Sequence, residues 1–299
     1  MLPVVFSTDH NYVMPTGITI ASLLLKKEDE EYDIYVLISS NVTNEDKVML
    51  SRQVEKLAPL SKISFIEMGD KFNNGYEIRE ISTACYYRLM IPWLIPHIDK
   101  IIYCDVDIVF KTSLRNLYNT ELGDNLVAGA TPNMSDGWKK YKNYFDKIGI
   151  DYKEYINSGV LVINSRLQRE QHLDKEYNRL SKYKFLYQDQ DIINLACKGK
   201  ICHFNNRYNM MPQLYATKDD LINEVIIHYT GDKPWKSFTY AWDEWWSVYK
   251  LTIFFDGKFY HDVSKNILNP VKQGRLLCKK AKQKLIQTYA RAKSYNLEK

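Results

Sequence analysis

Apolar residues follow two rhythms along this chain. Short continuous runs at 3–7, 32–39 and 62–67 read as strands. Between them, 14–26 and 44–57 carry apolar residues at helical spacing, and Thr43 stands as an N-cap for the second. Strand, helix, strand, helix, strand predicts right-handed crossovers and a mostly parallel sheet. Residues 101–110 form a fourth apolar run, read as one buried strand, broken only by Asp105 and Asp107. Further on, 84–91 reads as a helix carrying Arg88, 113–118 as a turn into a short helix, and 126–130 as a strand. Residues 138–148 make an aromatic, basic amphipathic stretch. A strand at 156–164 opens with Asn157-Ser158-Gly159, where the glycine permits close approach of a ligand. Residues 187–194 alternate amide and carboxylate before turning helical, and 225–235 run from a strand into a turn. Trp242, Trp245, Trp246 and Tyr249 fall at i, i+3, i+4 and i+7, the mark of a core-facing helix.

The interrupted fourth run carries the first chemical signal. Alternate residues of an extended chain face one side, so Asp105 and Asp107 point to one spot. Two carboxylates at the end of a buried strand repel each other unless a cation lies between them, which implies a divalent metal with oxygen ligands. Ligands of parallel sheets bind beyond the carboxyl ends of the strands. Asp9 and Asn11 hold that position after the first strand, and the aspartate pair holds it after the fourth. There is no Gly-x-Gly-x-x-Gly and no phosphate loop ending in Gly-Lys-Ser/Thr, so dinucleotide and P-loop readings lose their support. His228 reads either as an ordinary core histidine or, sharing its turn with the phosphate-suited cation Lys233, as part of the site. Asp-x-Asp after such a strand serves two chemistries: sugar transfer from a nucleotide-sugar and the aspartyl-phosphate route of dehalogenase-type phosphatases.

Composition narrows the setting. With 299 residues, 45% of them hydrophobic and 26% charged, one α/β domain with an appendage is expected. Its division falls at residues 1–250 for the catalytic domain and 251–299 for a helical basic tail. The net charge of +5 is uneven: residues 265–299 carry +9, which leaves −4 on the rest. That balance speaks for a local electrostatic anchor and against nucleic acid. The basic, helix-like stretch 274–292 reads as a solvated helix or a membrane-surface helix. Five cysteines in unpaired spacing imply free thiols in a reducing compartment. Asp9 and His10 interrupt the first apolar run, so no signal peptide is expected, and the apolar stretch at 17–25 is too short to span a bilayer. A cytoplasmic protein, peripheral at the inner face of the plasma membrane, is the expectation.

Seven pieces in order resemble glycosyltransferase family 8, the retaining transferases that include bacterial lipopolysaccharide galactosyl- and glucosyltransferases and, more distantly, glycogenin. They are Phe6-Ser7-Thr8-Asp9-His10-Asn11-Tyr12, Tyr87-Arg88-Leu89, Ile102-Tyr103-Cys104-Asp105-Val106-Asp107, Leu122-Gly123-Asp124-Asn125, Ile156-Asn157-Ser158-Gly159-Val160, Gln188-Asp189-Gln190-Asp191 and His228-Tyr229-Thr230-Gly231-Asp232-Lys233-Pro234-Trp235. The resemblance implies a single Rossmann-like nucleotide-sugar-binding domain of GT-A type with a mostly parallel mixed sheet. It implies that Asp105, Asp107 and His228 bind manganese, or magnesium in its place, bridging the phosphates of a UDP-hexose. Asp9 and Asn11 would hold uracil and ribose, with Ser7 and Val106 in the same donor-binding set. Arg88 would sit by the donor phosphate and sugar, Asn157 would line the pocket, and Gly231 and Lys233 would hold the diphosphate. Asp189 would hold sugar hydroxyls, and Gln190 would lie beneath the anomeric carbon with Asp191 close by. The partners implied are UDP-galactose or UDP-glucose and an oligosaccharide or glycolipid acceptor. The chain departs from the galactosyltransferase pattern at Thr131-Pro132-Asn133, where those members carry a pocket aspartate.

The chemistry is consistent with these residue types. Charge grows on the nucleoside diphosphate as its bond to the sugar breaks, and a metal with Lys233 neutralises it. The sugar becomes oxocarbenium-like, and Gln190, Asp189 and Asp191 offer a polar face to it. An amide is a poor nucleophile, so a same-face mechanism is the more natural route to retention. Two alternatives stand beside this reading. A phosphatase would place its nucleophile strand near the start of the fold, whereas a full βαβαβ unit precedes Asp105. A non-catalytic nucleotide-sugar-binding protein could use the same scaffold.

Overall fold

The structure is a computed structural model that describes residues 1–69, 83–132, 141–211 and 225–267. The first unit is β1 (Leu2–Thr8), α1 (Val13–Leu24), β2 (Tyr32–Ile38), α2 (Asn44–Leu57) and β3 (Lys62–Glu67), as the sequence predicts. Helix α2 starts at Thr43 through a reciprocal capping box with Asp46. After it come α3 (Ile91–Leu94), β4 (Lys100–Cys104), β5 (Ile108–Phe110), α4 (Arg115–Tyr118), β6 (Val127–Ala130) and α5 (Lys142–Ile148). The chain continues through β7 (Asn157–Asn164), α6 (Ser165–Glu170), α7 (Leu173–Leu180), α8 (Gln188–Ala196), β8 (Ile201–His203), β9 (Ile226–His228), α9 (Trp242–Tyr249) and α10 (Gly257–Ile267).

Among the described residues seven strands form a mixed sheet in the order β3-β2-β1-β4-β7-β6-β8, and β5 pairs with β9 in a separate ribbon. Strands β3, β2, β1 and β4 are mutually parallel, while β7 runs antiparallel to both β4 and β6. The continuous apolar runs follow from burial on both faces. Val4, Phe6, Val36 and Ile102 enter one core cluster, and Val5, Leu37, Ile101 and Tyr103 enter the other. The alternation is that of an extended chain, so each strand serves two cores at once.

Two expectations change. Residues 101–110 are two strands, not one. At Asp105 the chain bends away from β1 and β5 joins β9 instead. Thr19 on α1 makes that exit feasible: its Oγ1 lies 2.9 Å from the Val106 carbonyl and 2.8 Å from that of Ile108. Ser22 accepts the Phe110 N–H at 3.0 Å. The helix thus satisfies backbone groups that leave the sheet. The stretch around Arg88 is a 3-10 helix, Thr83–Met90, and only its continuation α3 is α-helical. The aromatic stretch at 138–148 is helical from Lys142; residues 138–140 lie outside the described residues, as do Asn133, Cys278 and the basic segment 274–292.

The described residues beyond 250 pack on the body through Ile253, Phe254, Phe259 and Tyr260. A Cβ on Gly17 would stand 2.1 Å from the Phe254 ring, and Ile253 N–H donates to Gln53 at 2.8 Å. Phe259 and Tyr260 of α10 lie on Trp246, whose helix faces the core as expected. Cys85, Cys104, Cys197 and Cys202 are free thiols. Among the described residues no helix is long and apolar enough to cross a membrane.

Candidate active site

The bend after β4 delivers both aspartates to the carboxyl edge of the sheet. The antiparallel register sets Ile108 opposite His228, and the Tyr229 N–H donates to the Asp107 carbonyl at 2.9 Å. Consequently one oxygen each of Asp105 and Asp107 and one nitrogen of His228 lie within 4.8 Å of one another. His228 Nε2 is 3.2 Å from Asp107 Oδ1 and 3.6 Å from Asp105 Oδ2. Gly159 makes room for this convergence. A Cβ there would stand 2.1 Å from His228 Cε1 and 2.8 Å from Asp105 Oδ2. The close approach that the sequence assigns to a ligand is therefore made by the imidazole and a carboxylate.

The polarity of the cluster follows from one backbone donor. The Gly159 N–H donates to Asn157 at 2.9 Å, so the Asn157 atom facing it is the oxygen. That oxygen also faces Asn209 at 2.9 Å, which must present its NH2. The Asn209 carbonyl oxygen is then the atom 2.7 Å from His228 Nδ1, so Nδ1 carries the proton. In the neutral ring, Nε2 is left as a bare lone pair facing two carboxylates. Oδ1 of Asp107, a residue only 9% exposed, accepts no hydrogen bond. A lone pair and an orphaned carboxylate oxygen pointing together suit a cation of borderline hardness with mixed N and O ligands. Asn209 is the outer partner that fixes the ring. Sequence reading passed over it, since a single asparagine in a 3-10 turn has no spacing to betray it.

Cations surround this cluster. Lys233 donates to Asp107 and, at 2.7 Å, to the Tyr229 carbonyl. Burial alone would raise the Asp107 pKa, but the Lys233 ammonium holds it well below the usual carboxylate range. Arg88, 6% exposed, pairs with Asp105 through Nη2 at 2.9 Å; its Nε–H donates to the Cys85 carbonyl with Asp189 3.1 Å from the same nitrogen, and Nη1 donates to the Ser158 carbonyl. Its guanidinium lies 4.4 Å above the Tyr103 ring. Arg88 therefore ties β4, β7 and α8 together beside the cluster, with every nitrogen engaged by protein. Burial raises the Asp189 pKa, and Arg88 offsets part of that rise.

Helix α8 begins with a residue in the left-handed region, Gln188 at φ 45°. Such backbone costs about 1–3 kcal/mol and persists where surrounding contacts over-determine it. It presents three consecutive polar residues to a buried environment. Asp189 accepts from Ser158 Oγ at 3.1 Å, and Gln190 Oε1 accepts from Asn157 at 2.8 Å and the Ser158 N–H at 3.1 Å. Asn157 thereby links the histidine side of the site to Gln190. Asp191 is fully buried and lies among tyrosines, bonded by Tyr144 and Tyr155 at 2.6 Å each. At the end of β1, Ser7 is 8% exposed with an Oγ that has no partner. Asp9 caps the following turn by accepting the Tyr12 N–H at 3.2 Å, with exposed Asn11 inside that turn. Buried Val106 lies between the two aspartates, and Gly231 follows His228 on the turn to Lys233. One strand along the same edge, a cavity of about 440 Å³ opens beside Thr131, Tyr152, Glu154, His203 and Phe204.

A Rossmann-like sheet with an Asp-x-Asp and histidine cluster on its carboxyl edge is the arrangement of a GT-A-type glycosyltransferase. The chain belongs to glycosyl transferase family 8, whose profile matches residues 3–239. A putative glycosyltransferase of Haemophilus influenzae is 32% identical over 248 residues, covering 78% of this chain and 72% of that protein. The lipopolysaccharide glucosyltransferase WaaO of Escherichia coli is 28% identical over 81% of this chain and 74% of its own. Among solved structures, the galactosyltransferase LgtC, in complex with donor and acceptor sugar analogs, superposes with a TM-score of 0.73 at 26% identity, covering 87% of this chain and 99% of LgtC. The resemblance drawn from the seven sequence pieces holds, and the protein is a glycosyltransferase.

Proposed function

We propose that this glycosyltransferase is metal-dependent and retaining, and that it moves galactose or glucose from a UDP-sugar to a hydroxyl of an oligosaccharide or glycolipid of the cell envelope. The observation that carries the reading is the convergence of Asp105, Asp107 and His228 around an orphaned carboxylate oxygen. Manganese, or magnesium, held by these three residues would supply Lewis-acid neutralisation of the departing diphosphate. Lys233, already beside Asp107, is placed to add a preorganised cation at the same oxygens, with the Gly231 backbone next to it. Ser7, Asp9, Asn11 and Val106 take the nucleoside, for which the unpartnered Ser7 hydroxyl is a ready contact.

Arg88 holds Asp105 and Asp189 in place, and Asn157 lines the sugar pocket. Asp189 receives sugar hydroxyls, and Gln190 backs the anomeric carbon with an amide oxygen that opposes developing positive charge. The bonds that occupy Asp191 favour a same-face route over one that uses this carboxylate as nucleophile. The acceptor class is suggested by relatives described as lipopolysaccharide glucosyl- and galactosyltransferases of Escherichia coli and Salmonella typhimurium. The basic segment 265–299 would bring the enzyme to an anionic membrane surface, consistent with action at the inner face of the plasma membrane.

The test is UDP release from a panel of UDP-sugars with manganese, with magnesium and with chelator. The reading predicts release from UDP-galactose or UDP-glucose that chelator abolishes. Undiminished turnover under chelator would remove the metal.

A further inference from the structure

The buried Asp191 has a connection to the reacting edge that its sequence position does not reveal. Start from the Ser158 N–H, which can only donate: the Gln190 atom 3.1 Å away must be the amide oxygen. Asn157 donates to the same oxygen at 2.8 Å. The Gln190 NH2 therefore points the other way, 3.0 Å from the Tyr155 hydroxyl. That hydroxyl must accept from Gln190, so its own proton goes to Asp191 Oδ1 at 2.6 Å. Tyr144 and the Tyr187 N–H donate to Asp191 Oδ2 at 2.6 and 2.7 Å. One ionised carboxylate thus terminates a directional chain that begins at a backbone amide.

We propose that Asp191 is a positioning residue: through the Tyr155 hydroxyl it reinforces the polarity that the Ser158 N–H sets on the Gln190 amide, clamping the oxygen toward Asn157 and the NH2 toward Tyr155. The proposal rests on the reading of Gln190 given above. Without the carboxylate, the Tyr155 hydroxyl loses the acceptor to which it now donates, and its proton competes with the NH2 that faces it. The amide oxygen then keeps the Ser158 N–H and Asn157, but the NH2 loses its fixed acceptor, so the amide is held less firmly, and an NH2 turned toward the sugar would oppose the positive charge that an oxygen stabilises.

Asp191 also titrates in a usable range. Burial pushes its carboxyl up to about 6, although the bonds from Tyr144, Tyr155 and the Tyr187 amide pull it back. The groups facing it are Tyr144 of α5, Tyr155 ahead of β7 and Asp189 on its own helix. The chain needs the ionised form, so kcat falls as pH drops through about 6.

The experiment compares full-length wild type, Tyr155→Phe, Asp191→Asn and Gln190→Ala in two readouts. One is kcat and donor KM with UDP-hexose and manganese across pH. The other is the side-chain amide NMR signal of Gln190 in the free protein, assigned by its loss in Gln190→Ala. Tyr155→Phe removes a single oxygen from a packed ring, so it carries the test even where Asp191→Asn does not fold. The expected result is a kcat lowered about 10- to 100-fold in Tyr155→Phe, with donor KM little changed. Its low-pH limb should disappear, and the Gln190 amide signals should shift. Unmoved amide signals, or a wild-type kcat with an intact acid limb in Tyr155→Phe, would overturn the proposal. Wild-type turnover in Gln190→Ala is a different outcome. It would remove the role given to Gln190, while the amide signals would still decide whether Asp191 positions it.

Discussion

At the scale of single residues, the site is set by groups that turn the Asp107 carboxylate and His228 Nε2 toward each other, 3.2 Å apart. Removing either carboxylate removes a charge that the proposed metal needs. Asp105→Ala and Asp107→Ala are expected to abolish manganese-dependent UDP release and the thermal stabilisation given by UDP with manganese. Wild-type turnover in either variant would end the metal role. Gly159 offers a subtler probe, because its absent side chain is what admits the imidazole. In Gly159→Ala a methyl would stand 2.1 Å from His228 Cε1. Overpacking of this kind costs about 1–3 kcal/mol. The expected outcome is a lower urea midpoint together with weaker manganese binding by calorimetry. Unchanged manganese affinity would show that His228 is not held by this contact.

At the scale of elements, the decisive event is the departure of the chain from the sheet at Asp105. Thr19 sustains it with a fully buried hydroxyl shared between the Val106 and Ile108 carbonyls. Thr19→Val keeps the shape and removes the donor, leaving buried carbonyls short of a partner at a cost of about 1–3 kcal/mol. Equilibrium urea unfolding measures it, and a variant as stable as wild type would mean the bend does not depend on α1.

This same element shows what sequence could and could not reveal. Apolar runs and the Thr43 cap give α2 and β3 their observed bounds, because those signals are local. The seven ordered pieces carry the family and place Asp105, Asp107, His228 and Lys233 in one neighbourhood. The break in the run at 101–110 was hidden, since both halves are equally apolar and the donor that permits it lies on a distant helix. Asn209, Tyr144 and Tyr155 were hidden for a related reason. Each acts through a pair of hydrogen bonds across the fold, and nothing in its own sequence context marks them.

At the scale of the whole molecule, charge is separated from chemistry. Residues 265–299 carry +9 against −4 on the remainder, while the packed body reaches through α10. Truncation after Ile267 keeps that body and removes most of the basic segment. Each basic residue near an anionic surface contributes about 1 kcal/mol at most, screened by salt. The truncated enzyme is expected to bind anionic liposomes less at low salt and to glycosylate a lipid-linked acceptor more slowly, with UDP-sugar hydrolysis nearly unchanged. Equal liposome binding by both forms would remove the membrane role. The account as a whole turns on how the sugar leaves the diphosphate, with metal and Lys233 on one side and the Gln190 oxygen behind. Proton NMR of the product formed in the first turnovers, from UDP-galactose or UDP-glucose with manganese, reads that directly. The account predicts an α-linked product from the α-linked donor, and a β-linked product would contradict it.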